Sequence, residues 1–255
     1  MPTPFTVCVI TRDAASELAS CIGSVPFADE VLVVDSGSRD DTVEVARALG
    51  ARVIERDWAG FGAQKNFAVA SARNDWVLCL DADERLSPEL ALEIRSTLAT
   101  DAVAGRAGYT MARRNRFLGK WLRHGEGYPD WSLRLFDRRI GRWSDDVVHE
   151  HVIVDGRVER LRGDLLHASA ESLERYLDKQ NRYTSLQAQA LYAAGEPARA
   201  SRMLLSPLLR FFRLYVVRLG FLDGIAGLVH IVVGCCNSFL KYAKLRELHR
   251  QQLRS

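Results

Sequence analysis

Over the first hundred residues, short apolar runs alternate with segments of helical periodicity. Residues 5–10, 30–35, 51–55 and 75–80 are β-branched or continuous apolar stretches of strand length. Between the first two, Leu18, Cys21, Ile22 and Val25 recur at helical spacing over residues 14–24. Asp40-Asp41-Thr42 opens a second helix running to about Leu49, and residues 61–72 form a third after a glycine-rich turn. Ser87-Pro88-Glu89 starts another, with Ser87 as N-cap and Pro88 at the first helical position, where a missing N–H does no harm. This alternation predicts an α/β fold, a mostly parallel sheet with helices on both faces. Ligands of such sheets bind at the carboxyl ends of the strands. Polar residues gather at those ends: Thr11-Arg12-Asp13, Asp35-Ser36-Gly37 and Asp81-Ala82-Asp83.

The pattern changes after residue 100. Residues 105–167 are rich in Arg, Gly and Trp, with short strands expected at 108–112, 132–136 and 151–154. A helix is expected over 172–194, with Tyr176, Lys179, Tyr183 and Gln187 along one side, broken by Gly195-Glu196-Pro197. Residues 206–219 and 223–248 read as further helices. The expected organisation is a catalytic domain over 1–170, with a ligand half at about 1–100 and a second half at about 101–170, followed by a helical region over 171–255.

With 255 residues, 47% of them hydrophobic, the chain can bury a large core, which excludes disordered and disulfide-stapled classes. Charge adds something the pattern does not show. The net +3 divides into +8 from residue 199 onward and −5 before it. A basic, apolar tail on an acidic body points to an anionic membrane surface. The five cysteines show no CxxC spacing, and Cys8 and Cys79 lie in expected strands, so buried thiols in a reducing compartment are expected. Met1-Pro2-Thr3-Pro4 has no basic leader region and runs straight into a strand.

Two carboxylates one residue apart at a strand end, Asp81 and Asp83, can face one crevice. Hard oxygen donors there suit Mg²⁺ or Mn²⁺ bridging a diphosphate; the plain alternative is a solvated turn. Asp35 can accept hydrogen bonds from a nucleobase imide or ribose hydroxyls, and the small residues after it let backbone approach a ligand. Lys65, in Gly62-Ala63-Gln64-Lys65-Asn66, can reach phosphate or base. With Glu150 between His149 and His151 on a strand, the histidines face away from it, against a His/Glu/His zinc site.

Val9-Ile10-Thr11, Val33-Val34-Asp35-Ser36-Gly37-Ser38, Lys65-Asn66 and Leu80-Asp81-Ala82-Asp83-Glu84 together resemble the family 2 inverting glycosyltransferases of the GT-A fold, over roughly residues 5–170. Ser36 stands where many members carry a second Asp, and Lys65 where Arg is commoner. Leu118-Gly119-Lys120-Trp121, Tyr128-Pro129-Asp130, Arg134-Leu135-Phe136, Val148-His149-Glu150 and Leu166-His167, with Gly220-Phe221-Leu222-Asp223-Gly224 and Leu240-Lys241-Tyr242-Ala243-Lys244 in the tail, resemble the branch that includes bacterial lipopolysaccharide-core β-glucosyltransferases. The resemblance implies a Rossmann-like GT-A domain that transfers a hexose, such as glucose, from a UDP-linked donor by one in-line displacement. It implies Thr11, Asp35, Lys65 and Asp81 as nucleotide-sugar ligands. It also implies Asp83, with His167 as a late histidine, as ligands of a divalent metal. Glu150 or Asp130 would take the acceptor's proton.

Arg113, Arg116, Trp121 and Trp131 lie in an Arg-rich, aromatic stretch suited to an anionic, carbohydrate-bearing acceptor such as a lipid-anchored glycan of the lipopolysaccharide inner core. No nucleic-acid module is recognisable, so nucleic acid is not an expected partner; an oligomer is left open. The tail is expected to lie in the membrane interface on the cytoplasmic face of the inner membrane, with a span or a soluble helical subdomain as alternatives. A nucleotidyltransferase on a similar scaffold and a catalytically silent membrane-binding scaffold are the rival functions.

Overall fold

The computed structural model describes residues 2–100, 103–146, 150–168 and 172–252. It divides into two compact units, residues 1–113 with 130–168, and residues 114–129 with 169–255. The sequence reading expects one domain over 1–170 and a helical region over 171–255.

In the first unit, β1 (Phe5–Thr11), β2 (Glu30–Asp35), β3 (Arg52–Glu55) and β4 (Trp76–Asp81) pair in parallel in the order β3-β2-β1-β4. The helices α1 (Ala15–Gly23), α2 (Thr42–Ala48), α3 (Phe61–Ser71) and α4 (Pro88–Ala99) follow the expected alternation. Alternate residues of the strands feed two cores. Val7, Val9, Leu78 and Leu80 pack with Leu18 and Ile22 of α1 and with Leu90 and Ile94 of α4. Cys8, Ile10, Val77 and Cys79 pack with Ala68 and Val69 of α3. Helices therefore cover both faces, which is why these strands read as continuous apolar runs. Ser87 caps α4 as expected, accepting from the Leu90 N–H at 3.2 Å. At α2 the capping carboxylate is Asp40, which accepts from the Thr42 N–H at 3.1 Å.

Beyond β4 the sheet continues β8-β6-β11-β5; β8 (Asp130–Asp137) pairs antiparallel with β4 and with β6 (Gly108–Phe117), and β11 (Val158–His167) pairs antiparallel with β5 (Glu84–Leu86). The sheet is thus mixed: β3-β2-β1-β4 pair in parallel, and antiparallel pairings follow. β6 and β8 are longer than expected. β11, β5 and the short pair β9 (Gly141–Trp143) and β10 (Val152–Val154) complete the unit. Glu150 and His151 precede β10 in no regular element, so the expected strand through them begins later, at Val152; Val148 and His149 lie outside the described residues.

The second unit holds β7 (Lys120–Trp121), α5 (Leu173–Ala193), α6 (Ala200–Phe211) and α7 (Gly224–Gln252). α6 starts six residues earlier than expected and passes at Phe212 into a π-helical turn, Phe212–Val217. A 3-10 turn, Gly220–Asp223, precedes α7. Polar bonds knit the unit. Asn237 donates to Gln180 at 2.7 Å, and Lys244 donates to the Asn181 side chain at 2.7 Å and to Ser185 at 2.8 Å. Buried Asp223 accepts from the backbone N–H groups of Arg123 and His124 at 2.9 and 2.8 Å. The stretch from Gly220 to Gln251 is long and apolar enough, by length and composition, to cross a membrane.

Candidate active site

The carboxyl ends of β1, β2 and β4 lie side by side, because the parallel register sets Thr11 opposite Asp35 and Ile10 opposite Asp81. Thr11 is buried and its hydroxyl has no partner among the described residues. Asp35 is turned onto its own loop, accepting from the N–H groups of Gly37 and Ser38 at 2.9 and 2.8 Å and from the Ser38 hydroxyl. Gly37 supplies the left-handed backbone of that turn (φ 79°). Gln64 donates to the Ser36 hydroxyl at 3.1 Å, tying α3 to the same turn.

Lys65 projects from the first turns of α3 and is only 5% exposed. Its ammonium lies 2.9 Å from Asp81 Oδ1 and 3.0 Å from Glu150 Oε1, and 4.3 Å from the centre of the Trp143 ring. One cation thus joins a strand-end carboxylate to an acid 85 positions beyond the lysine in sequence. Two contacts fix the approach. Asn66 exchanges two hydrogen bonds with the backbone of Trp143, at 2.8 and 3.0 Å. Gly62 lies so close to the chain after β9 that a Cβ there would stand 2.4 Å from the Ser144 carbonyl oxygen.

A second charged cluster lies under the first. Glu84 is fully buried; it accepts from Arg134 at 2.8 Å, from Arg113 at 3.4 Å and from the Asp81 N–H at 3.1 Å. Arg134 also reaches Asp81 Oδ2 at 3.1 Å. Burial pushes the Asp81 carboxyl up, but Lys65 and Arg134 outweigh it and hold the group well below the usual carboxylate range. Burial works against the Arg134 charge, and Glu84 with Asp81 more than restores it. Arg113 grips Asp130 through Nε at 2.9 Å and Nη2 at 2.7 Å.

Antiparallel pairing of β11 with β5 sets His167 opposite Glu84, and this brings His167 Nε2 to 3.1 Å from Asp83 Oδ2. Burial pushes the Asp83 carboxyl up; the hydrogen bond and charge of His167 prevail and lower it. Among the described residues no group of three or more His, Cys, Asp or Glu side chains is placed to hold a metal. Mg²⁺ and Mn²⁺ in phosphate sites take one or two protein carboxylates and complete their shell with substrate phosphates and water. The adjacent carboxylate and imidazole fit an ion of that kind, while Asp81 is engaged by two cations.

The structure therefore brings Lys65, Asp81 and Glu150 together, and pairs Asp83 with His167. Asp130 joins the cluster through Arg113. Trp131 is exposed, with the Arg160 guanidinium 4.7 Å over its ring. Arg116 and Trp121 face each other across the β6–β7 pairing in the second unit. Glu84, Arg134 and Trp143 were not singled out as site residues from sequence. A charged Arg134 inside the apolar run Leu133-Arg134-Leu135-Phe136 was the available signal.

The Glycosyl transferase family 2 model matches residues 6–152, more than half of the chain. The chain belongs to that family. It is 32% identical over 250 residues to an uncharacterized glycosyltransferase of Rickettsia typhi, covering 94% of this chain and 86% of the relative. It is 29% identical over 259 residues to the lipopolysaccharide core biosynthesis glycosyltransferase LpsC of Rhizobium meliloti, covering 98% and 95%. Among solved structures, mannosyl-3-phosphoglycerate synthase from Rubrobacter xylanophilus aligns with a TM-score of 0.51 at 21% identity, over 78% of this chain and 77% of that one. That likeness is one of fold: a GT-A-like mixed sheet with helices. Family membership decides against the nucleotidyltransferase alternative.

Proposed function

We propose that this chain is a metal-dependent, inverting hexosyltransferase. It takes a hexose such as glucose from a UDP-linked donor and gives it to a lipid-anchored glycan, such as the lipopolysaccharide inner core, on the cytoplasmic face of the inner membrane. The single observation that carries the reading is Lys65, nearly buried, with its ammonium between Asp81 and Glu150.

Thr11 and Asp35 line the strand ends where a nucleoside would lie, and the unpartnered Thr11 hydroxyl is available to it. Lys65 is the cation within reach of a diphosphate at the same strand ends. Asp83 and His167 would hold the divalent ion, which when bound supplies Lewis-acid neutralisation of charge on the leaving diphosphate. Glu150 accepts the acceptor hydroxyl's proton as that oxygen attacks C1 from the face opposite the diphosphate, so a single displacement inverts the anomeric centre. Glu150 is preferred to Asp130 because it shares a cation with Asp81, whereas Asp130 is held by two nitrogens of Arg113. LpsC, aligned along nearly its whole length, supports the choice of acceptor.

The test is a panel of nucleotide-sugars with Mn²⁺ or Mg²⁺, read first by thermal shift, since a ligand that binds the native state raises the melting temperature. Positive donors are then tested for transfer to purified inner-core glycolipid. A UDP-sugar that stabilises the protein only with metal and is then consumed with inversion is the expected result. Stabilisation by no nucleotide-sugar would sink the reading.

A further inference from the structure

The helical hairpin of α6 and α7 carries many of its apolar side chains on the outside. α6 has no buried residue. Leu204 and Leu208, and Leu205 and Leu209, are spaced by four, which sets all four on one stripe; Leu208 and Leu209 are 67% and 68% exposed. At Phe212 the π-helical turn begins. Its i→i+5 pattern suits the five-residue step from Phe212 to Val217, both exposed, and continues the stripe. The chain then reverses at Leu219, whose backbone is left-handed (φ 54°). Leu222 is exposed on the following turn, and Ile225 opens α7 at 79% exposure. Monomeric soluble proteins rarely leave a continuous patch of this kind uncovered.

Charge names the occupant. Residues 197–222 hold five arginines and no acidic residue. Arg213 is exposed on the π-helical turn, between Phe212 and Val217. An apolar tip bearing guanidinium groups matches the headgroup and upper acyl layer of an anionic bilayer. A second copy docked on this face by two-fold symmetry would set arginine against arginine. The length of α7 is not the inserted part. Asn237 bonds to Gln180, and Lys244 to Asn181 and Ser185, all on α5. A span would carry these polar partners into hydrocarbon.

We propose that the tip of the α6–α7 hairpin, from Phe212 to Ile225, inserts into one leaflet of an anionic membrane without crossing it. This deepens the reading of a lipid-anchored acceptor and rests on it for the presence of a membrane. The experiment is flotation of the full chain with vesicles of phosphatidylethanolamine and phosphatidylglycerol. The chain should float, less on phosphatidylcholine and less as salt rises. Val217→Asp combined with Leu222→Asp, both at exposed positions, should lower partitioning about tenfold or more. The same variant should keep the wild-type melting temperature and nucleotide thermal shift. Alkaline carbonate should extract the wild-type chain from cell membranes. Equal flotation of variant and wild type, no flotation of the wild type, a wild-type dimer that the double substitution dissolves, or resistance to carbonate would each overturn the proposal. Flotation as expected, without any nucleotide response, would sink the proposed function and leave the membrane surface standing.

Discussion

In the first unit Lys65, Glu84 and Arg134 carry charge into the interior, whereas in the second Leu208, Leu209 and Phe212 stand in solvent. Each is a departure from the usual partition, and the two differ in what sustains them. Buried charge is kept only where partners answer it, and here Lys65, Arg134 and Arg113 meet Asp81, Glu84, Glu150 and Asp130. Exposed hydrocarbon has no such answer among the described residues of its own unit, and the proposed membrane contact would supply one. The first departure is what the proposed active site uses, and the second is what the proposed membrane surface uses.

The sharpest way to break this contrast is at the acid. Glu150→Gln should lower turnover by about 10²–10⁴-fold while the nucleotide thermal shift persists. Steady-state rates on a confirmed donor, compared with those of Asp130→Asn, decide between the two carboxylates; a larger loss in Asp130→Asn moves the base there. Next in size is stability. Glu84→Ala strips Arg134 and Arg113 of their buried partner and should cost about 3–5 kcal/mol in urea unfolding, because an uncompensated buried charge remains. A loss below about 1 kcal/mol would show that the lower cluster is not a structural hub.

How much of this was legible in the sequence depends on the strand. β1, β2 and β4 are buried on both faces, so their sequences are largely apolar runs; the edge strand β3 is only half-buried, yet the ends of all four fall within a residue or two of expectation. β11, Val158-Glu159-Arg160-Leu161-Arg162-Gly163-Asp164-Leu165-Leu166-His167, buries only some of its side chains and is dense in charge, so it was missed. With it went the reason His167 meets Asp83, which is strand pairing across 84 positions. The donor-side carboxylates could be found because they sit at the ends of legible strands. Glu150 lies in irregular chain, where no periodicity marks it; only the family resemblance pointed to it. Arg134 and Glu84 were visible as residues, but their burial is a property of the packed sheet.

A smaller effect comes from acid. Asp81 and Asp83 have folded values lowered by their cationic neighbours. The stability they contribute is whole above about pH 4 and is lost as pH falls through their folded values. The difference in unfolding free energy between wild type and Asp81→Asn should therefore shrink below that pH in urea titrations. A constant difference down to acid unfolding would remove the ion-pair explanation. The smallest effect completes the comparison. Leu209→Ser should change unfolding stability by no more than about 0.5 kcal/mol, as expected where a side chain already lies in solvent. A loss of 2 kcal/mol or more would mean that the stripe on α6 packs against protein in solution.

Gly62 gives the active site its smallest adjustable part. With no side chain, α3 can rest its backbone on the carbonyl of Ser144, six residues before Glu150. A single methyl group at that position would act as a shim, widening the gap between the helix that bears the cation and the segment that bears the acid. The reach between Lys65 and Glu150 is in this sense gauged by a missing carbon, and a chemist wishing to perturb the proposed site without touching any charged group would begin there.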